Sequence, residues 1–283
     1  MSAQSPDRPK TPTAPDEVVA AVKDRYGAIA VESTSCCGPQ TPCCGDPAAS
    51  TAAQIGYTPT DLGLLPEGAN LGLGCGAPVA ELALEPGETV LDLGSGAGVD
   101  VLLAAHGVGP SGHVIGVDMT PEMIAKARTN ADAAGLTHVE FREGRLEELP
   151  VADSTVDAVT SNCVINLVPD KAAVFREIHR VLRPGGRLVI SDIVLDGTLP
   201  EALATDLLAY VGCVAGAMER ERYFRALDDA GLSEVEILRD VDFLAAVGDS
   251  LPPEVEQVAA ANGVTRDDLR GVVRSVTFRA RKR

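Results

Sequence analysis

The chain is short of positive charge, of histidine and of long apolar runs, and each shortage removes a class of protein. Against 41 Asp and Glu stand only 24 Lys and Arg, a formal net charge of −17 with a pI near 4.6. Nucleic acid and anionic membrane surfaces repel such a surface, so a neutral or cationic small molecule is the better-suited partner. The longest apolar-leaning stretch, LLAYVGCVAGAM at 207–218, falls well short of the roughly 20 residues that a bilayer-spanning helix needs. The N-terminal MSAQSPDRPKTPTAPDE has four prolines and no apolar core, which reads as a disordered tail rather than a secretory leader and places the protein in the cytoplasm. The four histidines, His106, His113, His138 and His179, form no constellation, and no acid/base pair stands out for proton abstraction. No repeat occurs at solenoid periods. Cysteine is not scarce. Seven occur in 283 residues, a length that buries a core without staples. In a reducing compartment they read as thiols, ligands or redox partners.

The middle of the chain alternates strand and helix signals. ETVLDLG at 88–94 and GHVIGVD at 112–118 are apolar runs ending in Gly or Asp, with the helix-compatible VDVLLAA between them, a βαβ unit. Thr120, Pro121 and Glu122 form a helix start and Gly135 a stop. HVEFREG, TVDAVTS and GRLVISD are further strands, with a helix at 171–182 closed by Arg183-Pro184-Gly185-Gly186. Strands separated by helices of this length predict an α/β fold with a mostly parallel, doubly wound sheet. Beyond about 200, ALATDLLAYVGCVAGA and ERYFRALDDAG read as helices, and SEVEILRD and SVTFRARKR as strands. The stretch 240–270 yields no organisation.

Leu91-Asp92-Leu93-Gly94-Ser95-Gly96-Ala97-Gly98 is the first motif with chemistry. Glycines between a strand and a helix allow a tight turn and let a ligand approach main-chain N–H groups. Asp118, ending the second strand, is placed to accept both hydroxyls of a ribose. A dinucleotide site would read G-x-G-x-x-G, whereas this chain has G-x-G-x-G with Asp92 two residues before it. An acid there suits an ammonium, and a ligand with ribose and ammonium but no phosphate is S-adenosylmethionine.

VLDLGSGAGVD, GVDMT, the Glu143–Leu146 turn and LRPGGRLVISD resemble the class I S-adenosylmethionine-dependent methyltransferases. More narrowly, Asn70–Gly76, the string Ser161–Asp170 (SNCVINLVPD) and Gly212-Cys213 resemble the arsenite methyltransferases, over about 55–240 and again at SVTFR. The resemblance implies a Rossmann-like fold in three parts: a disordered tail and Cys-rich arm at 1–50, a cofactor domain at 51–197, and a smaller α+β region at 198–283 that completes the sheet and covers the arsenic site. It assigns Asp118 to the ribose, Met119 and the Arg145-Leu146 turn to the adenine, and Asp92, Gly94, Ser95, Gly96 and Asn162 to the rest of the cofactor. It assigns Cys163 and Cys213 to As(III), with Cys75 a nearby ligand or redox partner. Arsenite and methylarsenite are the implied substrates.

The residues suit that chemistry independently. Trivalent arsenic is soft and thiophilic, and thiolate is the protein's soft donor. Cys163 follows the fourth strand, at the edge where open α/β sheets bind ligands, and Cys213 sits on a loosely patterned helix able to fold over that edge. An arsenic lone pair needs no general base, which agrees with the scattered histidines. Returning arsenic to the trivalent state takes two electrons, which a thiol pair supplies by forming a disulfide, to be reset by thioredoxin or glutathione. STSCCGPQTPCCGDP at 33–47 is then a reducing or ligand-handover arm. Length from Cys75 favours Cys43 or Cys44 as the relay partner, while spacing after Tyr26-Gly27 favours Cys36 or Cys37, and the choice stays open. A zinc site is disfavoured because C-C-x5-C-C lacks the C-x2-C bite. A carbon methyltransferase and a thiol-based metalloid sensor are the competing functions.

Overall fold

The computed structural model describes residues 14–32, 47–246 and 253–283. Cys36, Cys37, Cys43 and Cys44 lie outside the described residues. So do the first 13 residues of the chain.

Among the described residues the sheet contains β1 (Thr89–Leu93), β2 (His113–Asp118), β3 (Val139–Glu143), β4 (Val156–Asn162), β5 (Leu182–Leu195), β6 (Met218–Glu219), β7 (Leu232–Asp242) and β8 (Val273–Lys282). Their order is β3-β2-β1-β4-β5-β8-β7, with β6 pairing to the end of β5. β1 to β5 are mutually parallel, and β8 runs antiparallel between β5 and β7. The chain moves outward from β1 to β2 and β3, then returns to β4 on the other side of β1. That reversal opens a crevice at the carboxyl ends of β1 and β4.

Both faces of the sheet are covered, which is why its central strands are apolar at successive positions. Leu91, Leu93 and Val117 pack with Val174, Phe175 and Ile178 of the helix Lys171–Val181 and with Tyr223 and Leu227 of the helix Arg220–Asp229. On the other face Val90 and Val114 meet Val101 and Leu102 of the helix Val99–Val108 and Ile124 and Ala127 of the helix Pro121–Ala133. That last helix starts at Thr120 as expected, but the Thr120 side chain makes no cap hydrogen bond. It hydrogen-bonds Asp118 instead.

The structure departs from the sequence reading in three places. The segment read as one helix from 202 breaks into Glu201–Ala204 and Leu207–Val211. Cys213, at φ 64°, turns the backbone out of the helical region, so Cys213 sits in the turn after the second piece. The stretch 240–270 contains the helices Phe243–Ala246, Pro253–Asn262 and Arg266–Leu269, of which Phe243, Val255, Val258 and Leu269 pack on Ile193 and Leu195 at the end of β5. Finally, the span read as disordered tail and arm includes the 18-residue helix Pro15–Glu32. Its Val18 and Val22 pack on Leu167 and Cys213, and its Ile29 and Ala30 on Leu71, Ala97 and Met123. Tertiary burial rather than a clean amphipathic pattern holds this helix in place.

Candidate functional site

The crevice at the carboxyl ends of β1 and β4 is a cavity of about 550 Å³, within the roughly 300–1,000 Å³ of small-molecule sites. All the residues assigned to the cofactor, Asp92, Gly94, Ser95, Gly96, Asp118, Met119, Arg145, Leu146 and Asn162, line it, as do Cys163 and Cys213. Cys75 lies just outside that lining, in the buried cluster that also receives Cys163.

The turn after β1 is shaped by its glycines. Gly94 has φ 66°, and a Cβ there would run into the Val164 side chain. The turn is tied to the end of β2 by Gly94 and Ser95 N–H groups donating to Val117 O at 2.8 and 3.0 Å. Asp118 completes it by accepting from Gly96 N and Thr120 N, both at 2.9 Å.

Three acids converge on this pocket. Asp92 is 3% exposed and its carboxyl is pushed well above the usual range by burial first, then by Asp100 and Asp118. Burial raises Asp100 to about 6, held back by hydrogen bonds from Tyr57 and Asn162. Burial also raises Asp118, opposed by the Thr120 and Gly96 N–H groups. Mutually repelling carboxylates in a low-dielectric cleft call for a cation. A ligand with ammonium and sulfonium groups and a ribose fits this donor set: two acids at the charged end, and Asp118 at the end of β2 for the hydroxyls. When bound, such a cofactor supplies an electrophilic methyl group.

Asn162 is a hub between this pocket and the cysteines. Its Oδ1 accepts from Cys75 N at 3.0 Å and Gly76 N at 3.3 Å, and the two hydrogens of its Nδ2 are shared among three acceptors, Gly76 O at 2.7 Å, Tyr57 Oη at 3.0 Å and Asp100 Oδ2 at 3.2 Å. Tyr57 in turn donates to Asp100 Oδ1 at 2.8 Å. The Asn162 amide is therefore engaged with protein groups while lining the cavity. Through it the Gly74–Gly76 turn is placed against β4.

Three of the seven cysteines come together. The Sγ atoms of Cys75 and Cys163 and a carboxyl oxygen of Asp192 lie within 4.8 Å of one another. The Cys213 Sγ donates to Cys163 O at 3.1 Å and lies 3.9 Å from Tyr26 Oη. All three are free thiols, and the Cys163 thiol hydrogen-bonds with both others. Burial lifts the Cys75 thiol, with the Cys163 hydrogen bond opposing. The hydrogen bond with Cys163, then burial, carries Cys213 well above its usual value. At Cys163 the Cys213 hydrogen bond is the largest influence and lowers it, but Cys75 and burial together carry it well up. In all three the surroundings favour the protonated thiol.

Behind them lies a polar network that sequence reasoning missed. Asp192, 1% exposed on β5, accepts at Oδ1 from Asn166 Nδ2 at 2.8 Å and Ile193 N at 2.9 Å, and at Oδ2 from Tyr223 Oη at 3.1 Å. Burial raises its pKa to about 7. Lys171 Nζ donates to Val168 O at 3.1 Å, and burial lowers it to about 8. Tyr57 and Asp100 were missed as well. A signal existed for Asp192, an acid in an otherwise apolar strand. Nothing local distinguishes Tyr57.

A parallel sheet with an antiparallel β8, a Gly-rich turn after β1 and an acid ending β2 define a class I methyltransferase. Residues 84–231 match the family described as Methyltransferase domain. The chain is 50% identical over 231 residues to the arsenite methyltransferase of Halobacterium salinarum, which spans 79% of this chain and 59% of that protein. It is 40% identical over 154 residues to the arsenite methyltransferase of Mus musculus, across 51% of this chain and 40% of that one. Among solved structures, the arsenic(III) S-adenosylmethionine methyltransferase of Chlamydomonas reinhardtii superposes with a TM-score of 0.60 at 31% identity, covering 84% of this chain and 74% of that chain. The protein belongs to the arsenite methyltransferase family. It spans between two fifths and three fifths of the length of these two curated relatives.

Proposed function

We propose that the protein transfers the methyl group of S-adenosylmethionine to trivalent arsenic, converting arsenite to methylated arsenicals as a detoxification step. The observation that carries this reading is the meeting of Cys75, Cys163 and Cys213, from three separate parts of the chain, beside the acid-lined cavity. Soft donors in that number suit arsenic and do not suit an oxygen- or nitrogen-seeking metal. Neutral thiols also suit a neutral substrate. Arsenic trihydroxide exchanges its three hydroxyls for three thiols, each thiol proton leaves with a hydroxyl as water, and no net charge is buried. Residues 51–197 then form the cofactor domain, and 198–283 complete the sheet and cover the thiols.

The lone pair of arsenic attacks the methyl carbon, so the protein's task is proximity and orientation rather than base catalysis. The acids Asp92 and Asp100 hold the charged end of the cofactor, and Asp118 its ribose. Restoring trivalent arsenic takes two electrons, which two thiols supply by becoming a disulfide. The helices Pro15–Glu32 and Pro47–Ile55 both contribute to the cavity lining, and Cys36, Cys37, Cys43 and Cys44, which lie between them in sequence, are the candidates for that relay. Thioredoxin or glutathione resets them.

The test is to incubate the protein with arsenite, a thiol reductant and S-adenosylmethionine and to speciate the arsenic. Methylarsenicals are expected from the wild type and absent from Cys163→Ser and Cys213→Ser, with cofactor binding retained. Retained methyl transfer to a carbon substrate in those variants supports the carbon methyltransferase reading instead. Arsenite binding without any methylated product supports a sensor.

A further inference from the structure

A soft trivalent atom held by thiols needs no carboxylate, yet one is buried among the thiols. Asp192 has a carboxyl oxygen within 4.8 Å of the Cys75 and Cys163 Sγ atoms, and it is 1% exposed. Burying an acid there opposes folding and opposes thiolate formation at both cysteines. It is also carefully oriented. Two N–H donors, from Asn166 and Ile193, hold Oδ1, and the Tyr223 hydroxyl holds Oδ2. The ammonium of Lys171 hydrogen-bonds the carbonyls of Asn166 and Val168 rather than Asp192, and its positive charge acts on Asp192 from there, favouring the carboxylate. A feature that weakens both the fold and the thiols needs a compensating task.

The electron count of methyl transfer supplies one. The arsenic lone pair becomes the new As–C bond, the C–S bond of the methyl donor breaks, and its electron pair stays on sulfur as a neutral thioether. No proton moves. One unit of positive charge therefore leaves a sulfonium and appears on arsenic, which now carries three thiolates and a methyl group. Asp92 and Asp100 line the cavity that would hold the charge at its starting point. Asp192 is the acid beside its destination. We propose that Asp192 is the catalytic residue that stabilises the positive charge arriving on arsenic. Preorganised opposite charge in a site closed to water is the strongest device available to a reaction of this kind. This rests on the reading that the chain methylates arsenic held by Cys75, Cys163 and Cys213.

The experiment compares Asp192→Asn with the wild type. The asparagine keeps the shape and can accept from Asn166 and Ile193 while donating to Tyr223. Arsenite is bound as a neutral species, so its Kd is expected to change by no more than about twofold, and that of S-adenosylmethionine likewise. The single-turnover rate of methyl transfer at saturation is expected to fall about 10²-fold, the scale of losing one preorganised stabilising group. A wild-type single-turnover rate in Asp192→Asn overturns the proposal. If Asp192→Asn fails to fold, Asp192→Glu, which keeps the charge but displaces it, is expected to lose about tenfold in the same rate at unchanged arsenite Kd, and a wild-type rate there overturns it equally. Failure of the wild type to make any methylarsenical sinks the parent reading instead.

Discussion

Cys163 and Cys213 carry φ values of 61° and 64°, a left-handed conformation that costs an L-residue with a Cβ roughly 1–2 kcal/mol. Each is held there by its neighbours. Cys163 N donates to Ser191 O at 2.8 Å, Cys213 N donates to Tyr210 O at 2.9 Å, and the Cys213 thiol reaches back to Cys163 O. Among the described residues three other non-glycine residues share the conformation, Ala83, Ser154 and Glu234, and none of them lines the cavity. Strain at two thiols that meet is what a site selected for geometry rather than for stability looks like. Glycine takes the same backbone without penalty. Cys163→Gly and Cys213→Gly are therefore expected to unfold at higher urea than Cys163→Ala and Cys213→Ala, by about 1 kcal/mol at each position. Alanine variants as stable as the glycine ones would mean that the backbone is relaxed there.

At the scale of elements, the N-terminal helix Pro15–Glu32 closes one side of the cavity. Val22 and Ile29 are each 2% exposed and pack on separate clusters, one containing Cys213 and the other Met123. Undocking the helix leaves the sheet intact, because no strand pairing depends on it. Burial of each side chain contributes on the order of 1.5–3 kcal/mol, so the double variant Val22→Asp, Ile29→Asp should release it. The Kd for S-adenosylmethionine by calorimetry is expected to rise at least tenfold, with β-sheet signal retained in far-UV circular dichroism. An unchanged Kd would show that the helix is no part of the site. This helix also marks the limit of what was legible beforehand. The βαβ units were readable because Leu91, Leu93, Val114 and Val117 are apolar in runs of strand length bounded by Gly and Asp, and the Gly-rich turn and Asp118 follow from the same local pattern. The helix Pro15–Glu32 and the broken pieces around Cys213 draw their stability from contacts far away in sequence, which no local period records. The same holds for Tyr57, Asp100 and Asp192. Each is defined by what it meets across the fold; for Asp192 an acid in an otherwise apolar strand was a visible signal, but the thiols it meets were not.

At the scale of the whole molecule, a chain of net charge −17 still gathers Asp92, Asp100 and Asp118 in one buried cleft, adding self-repulsion where solvent screens least. Surface acids paired with arginine, such as Glu88 with Arg187 and Glu177 with Arg180, are held below the usual carboxylate range by those hydrogen bonds, so the stability they contribute is lost only as pH falls below about 4. The cavity acids act in the opposite sense. Burial raises Asp100 to about 6, against about 3.9 in the unfolded chain, so between those values the native state binds more protons than the unfolded state. Stability from this group is present below about pH 4 and is lost as pH rises through about 6, amounting to roughly 2–3 kcal/mol. Asp92 and Asp118, also raised, push in the same direction. The protein without ligand is expected to show a urea midpoint that falls from pH 5 to pH 7. A cationic ligand favours the ionised acids, so the stabilisation conferred by S-adenosylmethionine should grow over the same interval. Asp100→Asn keeps an acceptor for the Tyr57 hydroxyl but cannot ionise. It is expected to flatten the fall, to be more stable than the wild type at pH 7, and to bind S-adenosylmethionine more weakly there. A wild-type midpoint that rises between pH 5 and 7, or an Asp100→Asn profile parallel to it, would remove the cavity acids as the source of the cation preference.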